Sequence, residues 1–219
     1  MKKGFLIIVL AALGFDTIHA QNEEYRDVTS LTAGLSLFNI GGPIVKAALT
    51  NAGQNENQLI KTNSIPTLQV SYDHAFGRVF SLGGALSLSQ FSAQATNFDW
   101  KDAAGNISTG YFNLETTRTT FGMRALFHYG NKGKIDMYSG VRVGVGIWKI
   151  KFDSDLTNFT VDELNGVFAR SVSPQFQVIP FALRGYITDN IGVGFETAIG
   201  SPYMASLSLQ YRFGSGSSK

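Results

Sequence analysis

The chain has 219 residues, 18 basic against 16 acidic side chains, 24 glycines, no cysteine and a mean hydropathy close to zero. So even a balance argues against the clustered basic surface that nucleic-acid binding requires, and without thiols there is no disulfide or thiolate chemistry. Beyond the first twenty residues no stretch is long and apolar enough for a spanning helix, so a membrane-crossing role would have to use strands.

Residues 1 to 20 have the layout of a secretory signal peptide. Lys2 and Lys3 form the basic start, Gly4 to Phe15 the apolar stretch, and Ala20 a small residue before the cut. A retained anchor is the alternative, because Ile18 is not the small residue preferred near a cleavage site. The expected divisions are 1–20 as signal, 21–213 as one domain and 214–219 as a short polar tail, either periplasmic or an expression scar.

The rest of the chain alternates with a period of two. The first strand is expected over Val28 to Asn39, with Leu31, Ala33, Leu35 and Leu37 on one face. A long polar connection, Ile40 to Asn63, includes a short proline-started helix over Pro43 to Leu49. The second strand, Ile65 to Ala75, sets Leu68, Val70 and Tyr72 against Gln69, Ser71 and Asp73, and a tight turn follows at Phe76 to Arg78. The third, Val79 to Phe91, has Phe80, Leu82, Leu86 and Leu88 on one side, and a second long loop is expected over Ser92 to Thr109.

In the fourth strand Phe121, Met123, Ala125, Phe127 and Tyr129 alternate with Gly122, Arg124, Leu126 and His128. The fifth sets Ile135, Met137, Val141, Val143, Val145 and Ile147 against Asp136, Tyr138, Arg142 and three glycines. A third long loop spans Asp153 to Ser173. The sixth strand, interrupted by Pro174 and Pro180, places Ile179, Phe181, Leu183 and Ile187 opposite Ala182, Arg184 and Tyr186. Ile191 to Ile199 form the seventh. The last runs from Tyr203 to Phe213, with Tyr203, Ala205, Leu207, Leu209, Tyr211 and Phe213 on its apolar face.

Eight strands joined alternately by long loops and short turns predict an all-β, antiparallel, up-and-down barrel. A soluble lipocalin-like barrel shows the same alternation with its apolar face inward, so the polar face has to decide. That face carries Arg124, Arg142, Arg184, Arg212, Glu196, Asp73 and Asp136 among small residues, a set suited to a narrow lumen. The opposite face is nearly continuous Leu, Val, Ile and Phe. Tyr129, Tyr186, Tyr211 and Phe213 at the turn ends, with Trp148 and Tyr203 at the loop ends, are expected to form interfacial girdles. The barrel is read as transmembrane.

The signal peptide, the eight strands and the aromatic end together resemble the small outer-membrane barrels of the OmpA, OmpX and OmpW kind and the PorT-type barrel families of Gram-negative bacteria. The resemblance implies export through the general secretory pathway. It also implies insertion by the barrel assembly machinery, with Leu207, Leu209, Tyr211 and Phe213 as the insertion signal, and contact with outer-membrane lipid and lipopolysaccharide. It implies no cofactor, and a non-enzymatic structural or interaction role, with another outer-membrane protein as a candidate partner. A narrow pore or conduit for small hydrophobic solutes is the main rival, and a lipid-modifying enzyme is the third.

Among the lumen charges, Arg184 and Glu196 are expected to be diagonal neighbours, as are Arg124 and Arg142, with Glu196 neutralising the second pair. His74 and His128 lie beside short turns, where catalysis on lipid is not expected; His128 is placed to hydrogen-bond Asp136. Asp153, Asp155, Asp162 and Glu163 lack the spacing of a calcium loop and read as a solvated acidic stretch. Apolar residues in the long loops, above all Phe98, Trp100, Phe159 and Phe168, are candidate contacts with the barrel mouth or with a partner.

Overall fold

In the computed structural model, residues 27–52, 59–101, 105–129, 134–156 and 171–213 are described. The elements are β1 (Asp27–Leu35), α1 (Leu37–Ala52), β2 (Leu59–Ala75), β3 (Phe80–Lys101), β4 (Ile107–His128), β5 (Ile135–Ser154), β6 (Ser171–Tyr186), β7 (Ile191–Gly200) and β8 (Ala205–Phe213). All eight strands pair antiparallel with their sequence neighbours, and β1 pairs with β8 from Asp27↔Phe213 to Leu35↔Ala205, closing the barrel. Closure leaves the transmembrane part without a free sheet edge, which a hydrocarbon environment requires. The proposed signal peptide and tail lie outside the described residues.

Strand boundaries differ from the expectation on the long-loop side. Residues 92 to 101 continue β3, and Ile107 to Thr119 extend β4, so each of these strands has 22 residues. Propensity and the Asn, Ser and Gly content suggested a loop, but cross-strand pairing from Ala95↔Phe112 back to Phe80↔Phe127 overrides it. At roughly 3.3 Å per residue such a strand is about 73 Å long, far more than the roughly 9 to 11 residues a tilted membrane strand needs. Toward β1 the reverse holds. β1 ends at Leu35, and the chain turns at once into α1, longer than the short helix expected, with Pro43 inside it. The Ser36 amide and hydroxyl both donate to Asn39 Oδ1, at 2.8 and 2.9 Å, fixing that start.

The long strands change polarity partway along. On β5 the outward residues Val141, Val143, Val145 and Ile147 give way to exposed Lys149 and Lys151, while inward Arg142 gives way to Trp148, Ile150 and Phe152. On β3 outward Leu86 and Leu88 are followed by Gln90 and Gln94, and inward Ser87 and Ser89 by buried Phe91, Ala93 and Ala95. The pleat keeps its phase across both transitions; only the chemistry inverts. A strand in lipid needs apolar side chains outside, and the same strand in water needs them inside. The inversion marks the upper edge of an apolar belt, above which β2 to β5 form an arm with an apolar inner face. There Ile60, Ala95, Phe98 and Leu156 cluster, with Phe112 against them.

Bulges reset the phase elsewhere. The register shifts between Ile65 and Leu68 in β2 and between Val178 and Phe181 in β6, around Pro66 and Pro180, which have no amide to give the ladder. Ile179 consequently points inward and is fully buried, contrary to its expected outward place. Tyr203 is also corrected: it precedes β8, lies inside the barrel and is fully buried, not on the lipid face. Tyr186 and Trp148 share the inward faces of β6 and β5, so neither belongs to a girdle.

The turn-side girdle is built from other aromatics. Tyr211, Phe213 and Tyr72 stack in series, with ring centroids 6.1 and 6.0 Å apart, and His74, Phe76, Phe80 and Phe127 continue around the outside at 4.7, 6.2 and 5.4 Å. Tyr129 stands exposed beside them. If the belt marks the lipid-facing height, Val143→Arg should cost about 2–4 kcal/mol in phospholipid vesicles. Gln90→Arg, just above the belt, should change stability by no more than about 0.5 kcal/mol. Denaturant titration of the reconstituted protein measures both.

Candidate functional site

Among the described residues, the largest gathering of charged side chains is in the lumen. Alternation turns Asp73 of β2, Arg118 and Arg124 of β4, Asp136 and Arg142 of β5, Arg184 of β6 and Glu196 of β7 inward, and each is buried. Small neighbours leave room for them. Gly122 and Gly144 face one another across β4 and β5, and a Cβ on Gly144 would come within 2.0 Å of the Phe121 carbonyl oxygen.

Asp73 lies at the centre. Its Oδ2 accepts from Arg184 Nη2 at 2.6 Å, and its Oδ1 is 3.1 Å from Arg124 Nε, an ion pair without hydrogen-bond alignment. Arg124 Nη2 donates to Glu196 Oε1 at 2.6 Å, and Tyr138 Oη donates to the same oxygen at 2.6 Å. Tyr203 Oη donates to Glu196 Oε2 at 2.5 Å and accepts from Arg142 Nη2 at 3.1 Å, while Arg142 Nη1 donates to Gln177 Oε1 at 2.5 Å. Above this layer Arg118 donates to the Pro202 carbonyl at 2.7 Å and lies over the Trp148 ring. Below it Arg184 stacks over Tyr138 and approaches Asp136 at 3.6 Å.

The lumen residues named from the sequence do not all meet as expected. Arg184 and Glu196 are diagonal neighbours as expected, Arg184 opposite Gly194 and Glu196 opposite Ala182, but Arg184 pairs with Asp73 and Asp136. Arg124 and Arg142 are directly opposite, not diagonal, and Glu196 lies 2.6 Å from one and 4.0 Å from the other. Arg212 sits at the turn-side rim over the Tyr186 ring and donates to the Asp189 carbonyl. Of the other lumen residues, the sequence places Tyr138 on the inward face without a role and Tyr203 on the outer face, and it does not mark Gln177 or Arg118. Parity with Asp136 and Arg124 could have found Tyr138 and Arg118. The β6 bulge and the turn before β8 hide the other two.

A hydrogen-bonded Ser-His-Asp chain also appears at the turn side. Ser81 Oγ is 2.9 Å from His128 Nε2, and His128 Nδ1 is 2.8 Å from Asp136 Oδ1. The spacing is that of an activated nucleophile, but the surroundings are wrong for acyl transfer. Ser81 is 2% exposed and, near the turn end of β3, is still paired on both sides, with Ala75 and with Leu126, so its own amide belongs to the sheet. An oxyanion hole needs amides that do not. His74, by contrast, is outward and lies 3.0 Å from Asp27, which also takes the Tyr72 hydroxyl and the Ala75 amide, clasping β1 to β2.

Leu207, Leu209, Tyr211 and Phe213 of β8 all face outward along the strand. Phe98 is a strand residue buried in the arm's apolar cluster, not a free loop contact, and Trp100 is in the same strand. Phe159, Phe168, Asp162 and Glu163 lie outside the described residues. Asp153 and Asp155 accept from the Tyr111 hydroxyl (3.2 Å) and amide (2.6 Å), and no group of three potential metal ligands occurs among the described residues.

Removing one partner from a buried ionic network strands the others. Asp73→Asn leaves Arg124 and Arg184 undercompensated and should destabilise the barrel by about 3–5 kcal/mol, read as a lower denaturant midpoint in reconstituted protein. A fluorophosphonate probe should leave Ser81 unmodified in the folded barrel. Stoichiometric labelling, abolished by Ser81→Ala, would overturn the structural reading of that chain.

No family model and no curated protein matches the chain. Among solved structures, it is similar to the N-terminal β-barrel domain of Pseudomonas aeruginosa OprF, at 14% identity, TM-score 0.44, covering 88% of this chain and 100% of that one. It is also similar to the attachment invasion locus protein Ail of Yersinia pestis, at 10% identity, TM-score 0.40, covering 87% and 100%. A backbone structure of Ail in a phospholipid bilayer nanodisc, where it is described as an outer membrane protein, aligns at 14% identity and TM-score 0.37, covering 87% and 100%.

Proposed function

We propose that this protein resides in the outer membrane of a Gram-negative bacterium as a non-enzymatic structural or interaction protein, an accessory subunit of a larger outer-membrane assembly. The observation that carries the reading is a barrel filled across its section by paired charges and tyrosines, topped by an arm that projects well past the apolar belt. A filled lumen has no free path for solute, and a tall arm offers surface outside the membrane. Export by residues 1–20 through the general secretory pathway belongs to the proposal. So does insertion by the barrel assembly machinery, with Leu207, Leu209, Tyr211 and Phe213 presented outward on the last strand.

One observation favours the conduit reading. The arm's inner face is apolar, through Phe91, Phe98, Phe112, Ile150 and Phe152, and would suit a small hydrophobic solute. Such a solute would have to leave before the Arg118 layer, since the lumen below it is filled by buried side chains, the charged ones paired with one another.

Gentle detergent extraction followed by mass spectrometry tests the first reading: a stoichiometric outer-membrane partner is expected. The purified barrel in planar bilayers should show no unitary conductance steps. Recovery of the barrel alone together with discrete steps would favour the pore.

A further inference from the structure

We propose that α1 lies in the outer-leaflet interface, with Leu37 and Ile44 in contact with lipid acyl chains. The inference rests on the membrane-spanning reading of the barrel and adds a second kind of lipid contact to it.

The helix presents two different sides. One is seated on the barrel mouth: Gly42 is buried, a Cβ there would lie 3.5 Å from Thr62 Oγ1 and 3.7 Å from the Phe91 ring, and Asn39 Nδ2 donates to Ser64 Oγ at 3.2 Å and to the Ile65 carbonyl at 3.0 Å. The other side is open. Leu37 is 69% exposed and Ile44 66% exposed, and two helical turns separate them, so they fall on one line along the axis. Ala47, one turn further, is exposed as well, whereas exposed Lys46 projects about 160° around the helix from Ile44.

Continuity with the belt identifies the occupant. Leu37 follows two residues after Leu35, the last outward residue of β1 and part of the same lipid-facing stripe as Leu31. That junction is held in place, because the Leu35 carbonyl accepts the Met204 amide at 2.8 Å while Ser36 and Asn39 cap the helix. The apolar stripe therefore passes from strand to helix without a polar break on its outer side. A protein partner normally needs about 800 Å² on each side, and among the described side chains of the helix the large exposed apolar ones are Leu37 and Ile44, far short of that area. A helix whose described open side carries Leu37, Ile44 and Ala47, with exposed Lys46 turned away from them, suits the boundary between headgroups and acyl chains.

The chain has no cysteine, so single-cysteine variants carry one label each. Leu37→Cys, Ile44→Cys, Lys46→Cys and the wall variant Val143→Cys are spin-labelled in protein reconstituted into phospholipid vesicles. Relaxation by oxygen, which partitions into lipid, is compared with relaxation by a water-soluble nickel chelate. The expected result is a shift toward oxygen at Leu37, Ile44 and Val143 and toward nickel at Lys46. A nickel-favoured signal at either Leu37 or Ile44, with Val143 still oxygen-favoured, overturns the helix contact and leaves the barrel reading standing. A nickel-favoured signal at Val143 overturns the membrane reading and the helix contact with it.

Discussion

The structure depends on charge neutralisation inside a closed barrel. Once the outward face is committed to an apolar surround, every charged side chain on the other face must find a partner in the lumen, where water is scarce and unpaired charge is expensive. Asp73 meets this constraint by serving Arg124 and Arg184 together, and Glu196 meets it by taking Arg124, Tyr138 and Tyr203 on its two oxygens. These contacts join β2, β4, β5, β6 and β7 and the turn before β8. The ionic layer is therefore a cross-brace as well as a plug.

Glycines and tyrosines make that brace fit. Gly34 lies where a Cβ would sit 2.6 Å from the Tyr203 ring, so β1 can pass beside the aromatic group that shields Glu196. Tyr138 and Tyr203 supply flat apolar area to the arginines stacked on them and hydroxyls to the carboxylate, uses that Phe could not combine. The same economy governs Ser81, His128 and Asp136. What has the spacing of a catalytic triad is, in this setting, a way to satisfy three polar groups at the foot of the barrel.

The reversal of polarity along β3 and β5 separates two jobs. Below it the wall meets lipid and the lumen is polar; above it the sheet continues as an arm with a wet outside and an apolar inside. The proposed interaction role rests on that arm and on α1, the parts that rise above or border the belt, and the filled lumen gives the arm a braced base. This is why the interaction reading draws on the height of β3 and β4, not on any constellation of reactive groups.

The sequence by itself determined the strand count, the alternation and the sign of the two faces, because a period of two with Leu and Val on one side and Arg, Asp and Ser on the other survives any choice of register. It also placed Arg124, Arg142, Arg184, Asp73, Asp136 and Glu196 on one face, since each lies in a clean stretch of alternation. Only the tertiary structure decided which of them meet. Pairing depends on register and on the distance across the lumen, and neither is encoded in the period of one strand. Bulges at Pro66 and Pro180 shift the phase locally, which put Ile179 inside. Cross-strand hydrogen bonds turned the polar run after Phe91 into strand, because a paired neighbour outweighs local propensity. Tyr203, read as the first residue of the last strand, became the hinge of the lumen network once the closing turn aimed it inward.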